Sequence, residues 1–113
     1  MSQPTAGPLL AHNVFFTLAD NSPAAVQKLI ADCKKYLTVQ PGIVYFAVGP
    51  LEPELARPVN ARDFDVGLLV VFANRAAHDN YQADADHVRF VAENKPNWKQ
   101  VRVFDTLVEC GPR

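Results

Sequence analysis

Phe64-Asp65-Val66-Gly67-Leu68-Leu69-Val70-Val71-Phe72-Ala73 is the stretch whose alternation decides the architecture. Successive side chains of an extended chain point to opposite faces, so Phe64, Val66, Leu68, Val70 and Phe72 share one face while Leu69 and Val71 take the other. Its β-branched and aromatic content predicts a strand. A strand with one face in water would carry polar residues at every second position. This one is apolar on both sides.

Working outward, Ile43 to Val48 (IVYFAV) predicts a second strand, again apolar on both alternating sets, entered by Pro41-Gly42 and closed by Gly49-Pro50. Residues 50–62 hold three prolines and several charges, which predicts a surface loop. Upstream, His12 to Asp20 predicts a strand with Phe15 and Phe16 on opposite faces. Ser22 and Pro23 suit the cap and first position of a helix, and Val26, Leu29, Ile30, Cys33 and Leu37 recur at helical spacing over Pro23 to Leu37. Downstream, Asn74 caps a helical region from Arg75 to about Gln82; Ala83 to Asn94 continues it or forms a second short helix. Lys95-Pro96-Asn97 breaks the helix, and Trp98 to Glu109 predicts the last strand, with Val101, Val103 and Leu107 opposite Phe104 and Val108. The order is that of an α+β, ferredoxin-like βαββαβ domain with an antiparallel four-stranded sheet.

Two helices on one side of such a sheet leave its other side bare, and here that side is apolar. Six or so large side chains, each contributing about 1.5–3 kcal/mol on burial, can exceed the roughly 4–15 kcal/mol cost of association. The expected partner is a second copy, the two sheets closing into a dimeric α/β barrel whose interior is filled by side chains or holds one small ligand.

The 113 residues fit one domain, 1–113, with residues 1–11 expected as a flexible N-terminal segment. Eleven basic against 12 acidic side chains give a net charge of −1, and Lys34-Lys35 is the longest basic cluster, so neither nucleic acid nor an anionic membrane is an expected partner. The apolar run Leu68 to Ala73 is far too short to cross a bilayer, and residues 1–11 lack the pattern of a signal peptide; a cytoplasmic location is the expectation. Cys33 and Cys110 fit no metal spacing, and Cys33 falls on the apolar stripe of its helix. His12, His78 and His87 form no helical i,i+4 pair, so no metal and no cofactor are expected. His78, beside Asp79 and Asn80, is expected in solvent.

The opening His12-Asn13-Val14-Phe15-Phe16, the entry Pro41-Gly42-Ile43, Gly49, the run from Phe72 through Tyr81 to His87-Val88-Arg89-Phe90, and Val103-Phe104-Asp105 follow one another in an order that resembles the stress-responsive A/B barrel domain (Dabb) family, part of the dimeric α+β barrel superfamily. The resemblance spans about residues 12–106 and implies a ferredoxin-like protomer in a barrel-shaped homodimer. Many members have no known reaction. One plant branch is similar to polyketide cyclases, in which a Tyr and a His six positions later form an acid/base pair; that resemblance implies Tyr81 and His87 here, with His12 as a pocket neighbour. The chain departs from the pattern at Asp84-Ala85, where many members have His-Pro, and at Val66, where the cyclase pocket carries a polar residue.

His87 is also the proton-transfer candidate on chemical grounds, since only histidine titrates near neutrality unperturbed. Tyr81 can polarise a substrate oxygen, while Phe16, Tyr45, Val66 and Phe72 are the expected walls of an apolar pocket. The functional expectation is cofactor-independent acid/base chemistry on a small aromatic or keto compound. One alternative is a non-catalytic dimer that binds a small apolar ligand or serves in stress protection; a second is similarity to the haem-processing or small monooxygenase branches.

Overall fold

A computed structural model describes residues 8–111. The elements follow the expected order: β1 (Leu9–Leu18), α1 (Pro23–Tyr36), β2 (Ile43–Pro50), β3 (Val66–Phe72), α2 (Arg75–Ala83), α3 (Ala85–Asn94), a 3-10 turn (Lys95–Asn97) and β4 (Trp98–Val108). The sheet has the order β2-β3-β1-β4 with every pairing antiparallel. This is the ferredoxin-like α+β fold.

β1 begins earlier than the sequence suggests. Leu9, Leu10 and Ala11 were expected in the flexible segment; they lie in β1, buried, with Leu9 opposite Val108 and Leu10 between Phe72 and Leu107. The dipeptide Leu9-Leu10 is too short to read as a strand locally, and only the pairing on both sides makes it one. Residues 1–7 of that segment lie outside the described residues.

α1 starts where its cap chemistry says it should. Ser22 Oγ accepts the Ala25 N–H at 3.3 Å, and Pro23 occupies the first position. Leu29, Ile30 and Cys33 drive into the core, and burial raises the Cys33 thiol to about 12, so it stays protonated as a small hydrophobe. Cys33 and Cys110 are both free. The helical stretch after β3 is broken at Asp84, which adopts an extended ψ of 142° and whose carboxylate accepts the Asp86 N–H at 2.8 Å. The break matters for function because it turns α3 relative to α2, so that His87 meets Tyr81 across the junction.

The helices lie over β2 and β3 on one face of the sheet. That face carries Val14, Phe16, Leu18, Val66, Leu68, Val70 and Phe72, all buried in one core with Leu29, Cys33, Leu37, Tyr81 and Phe90. β4 shares the face, yet its Val101, Val103 and Leu107 remain 37%, 48% and 68% exposed because no helix covers that edge. On the opposite face stand Phe15, Leu69, Val71, Ala47, Tyr45 and Phe104, with no helix over them among the described residues and only the 51–65 loop against part of the face. Phe15 packs edge-on against Phe104 and against Phe64 at the end of the 51–65 loop. No helix among the described residues is long and apolar enough to cross a membrane.

Gly42 joins α1 to β2 at a φ of +89°, and a Cβ built there would stand 2.4 Å from the Cβ of Ala77 on α2. Both the left-handed backbone and the close approach require glycine. Gly42→Ala is expected to cost about 1–3 kcal/mol from strain and overpacking, read as a lower urea midpoint at unchanged m-value.

Candidate functional site

A cavity of about 150 Å³ opens between the helices and the β1–β4 edge. Its walls are mainly apolar: Val14, Phe16, Leu37, Leu68, Phe90, Val91, Val101 and Val103, with Trp98 at one end. Its polar groups are His12 from β1, Tyr81 and Gln82 from the last turn of α2, and His87 from the first turn of α3.

The acid/base pair Tyr81 and His87 and their expected pocket neighbour His12 are therefore brought together. Tyr81 and His87 stack edge to face with centroids 4.7 Å apart, and His12 approaches Tyr81 at 6.0 Å. Tyr81 is only 1% exposed. Burial pushes its phenol pKa well up, with the neighbouring Cys33 adding to the effect, so Tyr81 remains an O–H donor across the physiological range. Burial pushes His87 the other way, below its ordinary value, and the nearby His12 reinforces this; Asp84 opposes it. His87 is therefore held neutral at neutral pH, with an imidazole lone pair available. A proton donor and a proton acceptor face one apolar cavity.

His12 is the buried polar residue of β1, 5% exposed. Its Nδ1 meets Asp105 Oδ1 at 2.6 Å, directly across the β1–β4 ladder, so the carboxylate accepts from Nδ1–H and orients the ring. His78, expected in solvent, instead stands beside His12 with ring centroids 5.2 Å apart and a side chain only 16% exposed. The first turns of α2 carry it back over the sheet edge, which the neighbouring Asp79 and Asn80 conceal in a linear reading. Asp105 and His78 are the residues that site reasoning from sequence missed. The signal for Asp105 is its place opposite His12, visible once the strand register is known.

Of the expected pocket walls, Phe16 lines the cavity. Val66 and Phe72 do not; both are fully buried, and Phe72 backs the site by packing on Tyr81 at 4.9 Å and His12 at 6.2 Å between ring centroids. Tyr45 is on the other face of the sheet and 55% exposed. A register shift between Ile43 and Tyr45 is the cause: it leaves Ile43 facing the helices but sends Phe46 and Val48, rather than Tyr45, to join it. The pocket itself also sits between helices and sheet in one protomer, and not in the space between two sheets.

No curated protein matches the chain. Solved structures do. A Dabb family protein with a ferredoxin-like fold from Mesorhizobium loti is 27% identical, with a TM-score of 0.72 over 92% of this chain and 99% of that one. A dimeric ferredoxin-like protein of unknown function from Thermobifida fusca is 18% identical, with a TM-score of 0.74 over 91% and 93%. The hydroxynitrile lyase of Passiflora edulis is 19% identical, with a TM-score of 0.74 over 94% and 99%. The last two likenesses are of fold alone. A family model, that of the stress responsive A/B barrel domain, matches residues 10–108, nearly the whole described chain and all but the first residue of its four strands, and the protein belongs to that family.

Proposed function

We propose that the protein performs proton transfer on a small one-ring keto or aromatic compound, with His87 as the base and Tyr81 as the hydrogen-bond donor to the substrate oxygen. The observation that carries this is the pairing of a phenol kept protonated and an imidazole kept neutral, edge to face at 4.7 Å in one apolar cavity. Groups whose environments drive their pKa values apart divide the acid and base roles between them. In this reading His87 takes a proton from the carbon next to a carbonyl while the Tyr81 O–H supports the charge gathering on the oxygen; the same imidazolium then returns a proton. No cofactor is needed for that exchange. The volume fits the assignment, since an apolar cavity of about 150 Å³ accepts a benzene-sized ring. His12, held by Asp105, orients the substrate oxygen from the β1 side.

The protein acts as a homodimer joined through its uncovered sheet faces. Support comes from the apolar character of that face and from the dimeric state of the Thermobifida fusca protein. The Passiflora lyase is an enzyme on the same fold, so the fold is compatible with catalysis.

The test follows deuterium exchange into the methyl group of para-hydroxyacetophenone by NMR. Wild-type protein is expected to exceed the buffer rate, and His87→Ala to lose about a hundredfold of the excess, the lower end of general-base contributions. The rate rises with pH as His87 loses its proton, so the midpoint of the acid limb is expected below the ordinary histidine value of 6.5, because burial lowers this pKa. Exchange at wild-type rate in His87→Ala removes the acid/base role. A second reading, ligand binding without chemistry, is favoured by the mainly apolar walls; it predicts shifted ring resonances of the probe with no exchange above buffer.

A further inference from the structure

His12, His78 and Asp105 each offer one ligand atom, and those atoms all lie within 4.8 Å of one another. They come from three elements, β1, α2 and β4, none of them close in sequence. We propose that this cluster is a binding site for a divalent first-row transition cation of borderline softness, such as Zn²⁺.

The donor chemistry selects the class of ion. Two imidazoles and one carboxylate suit Zn²⁺, Co²⁺, Ni²⁺ or Fe²⁺, whereas Mg²⁺ and Ca²⁺ take oxygen ligands. Ligand arms of about 2.0–2.2 Å leave donor atoms of a tetrahedral site roughly 3.4 Å apart. The 2.6 Å contact of His12 Nδ1 with Asp105 Oδ1 thus opens by about 0.8 Å as the His12 proton moves from Nδ1 to Nε2, and the widest separation, 4.8 Å at most, closes by up to about 1.4 Å. Side-chain rotation supplies both.

The surroundings resemble those of a ligand set more than those of an isolated hydrogen bond. Behind His78 stands Asp79, whose Oδ1 meets His78 Nδ1 at 3.0 Å, and Asp79 is itself held by Arg75 Nε at 2.9 Å. A carboxylate behind an imidazole fixes its ring and tautomer and leaves Nε2 as the free donor, the arrangement that supports metal-bound histidines. Phe72 packs against both imidazoles, 6.2 Å from His12 and 5.6 Å from His78, so the two rings share a rigid floor. Exposure grades outward across the three side chains, from 6% at His12 through 16% at His78 to 43% at Asp105, which gives an ion a path in from the Asp105 side.

The site does not rest on the acid/base assignment, for neither Tyr81 nor His87 is a ligand. His12 alone belongs to both the cluster and the cavity wall.

Protein stripped with EDTA and dialysed is titrated with Zn²⁺ by calorimetry, and with Co²⁺ while visible d–d absorption is recorded. Saturable binding of one ion per chain is expected, with Co²⁺ bands that Zn²⁺ displaces. His78→Ala, at a half-buried position outside the hydrophobic core cluster, is expected to weaken binding at least about a hundredfold, and Asp105→Asn to do the same with loss of the Co²⁺ bands. Asp79→Asn is expected to weaken binding about tenfold, as support behind a ligand does. His87→Ala is expected to bind as tightly as wild type. Absence of saturable binding at tenfold metal excess overturns the proposal, as does unchanged affinity in His78→Ala. No substrate is needed for this measurement, and the exchange assay is run without metal, so the two proposals fail separately.

Discussion

Leu69→Lys is expected to give a folded monomer under conditions where the wild-type chain sediments as a dimer. Leu69 lies in β3 on the face away from the helices, between Asn13 of β1 and Ala47 of β2. Phe15, Val71, Tyr45 and Phe104 surround it on the same face, the last two 55% and 53% exposed. In a face-to-face dimer each protomer buries several of these side chains, at about 1.5–3 kcal/mol each. A lysine at the centre places an ammonium from each copy in that apolar layer, and each unpaired charge costs several kcal/mol to desolvate. The dissociation constant is expected to rise at least about a thousandfold, which is roughly 4 kcal/mol. The fold survives because the helix-facing side of the same strand, Leu68, Val70 and Phe72, is unaltered. Equilibrium sedimentation with circular dichroism checks both halves. A variant that dimerises as tightly as wild type, or a wild type that is monomeric at micromolar concentration, disposes of the sheet-face dimer.

Phe72→Ala is the largest expected loss of stability, about 3–5 kcal/mol. Phe72 is fully buried and sits where β3 meets the functional cluster, touching Tyr81, His12 and His78 with its ring. Removing it leaves a cavity that those three rings can fill only by leaving the positions they now hold. The expected result is therefore double: a lowered urea midpoint, and altered imidazole resonances of His12 and His78 even well below that midpoint. Phe72→Leu keeps most of the volume but not the flat floor, and is expected to cost less than half as much while still shifting the imidazoles. Stability within about 1 kcal/mol of wild type in Phe72→Ala, with unmoved imidazole resonances, contradicts this account. A loss of 3–5 kcal/mol is a large share of the 5–15 kcal/mol typical of a domain this size.

The acid/base pair and the histidine–aspartate cluster differ in how far the sequence reveals them. Tyr81 and His87 are named as a pair through the family resemblance, and their contact depends on a local event, the break at Asp84 between two short helices. His78 and Asp105 are not, because each reaches His12 from a different part of the chain. Tyr45 was misplaced by a single register shift, since one inserted residue exchanges the faces of everything after it.

The amino-acid order by itself determined the elements, their succession and the apolar character of both sheet faces, along with the family whose pattern they match. Those are properties of neighbouring residues: alternation and helical spacing record the direction in which each side chain leaves a local backbone. Tertiary structure alone decided that Leu9 to Ala11 join β1, that Tyr45 turns away from the pocket, and that two histidines and an aspartate from three elements meet at one point. Contacts of that kind depend on strand register and on where a helix docks, and both are settled by packing between segments that are distant along the chain.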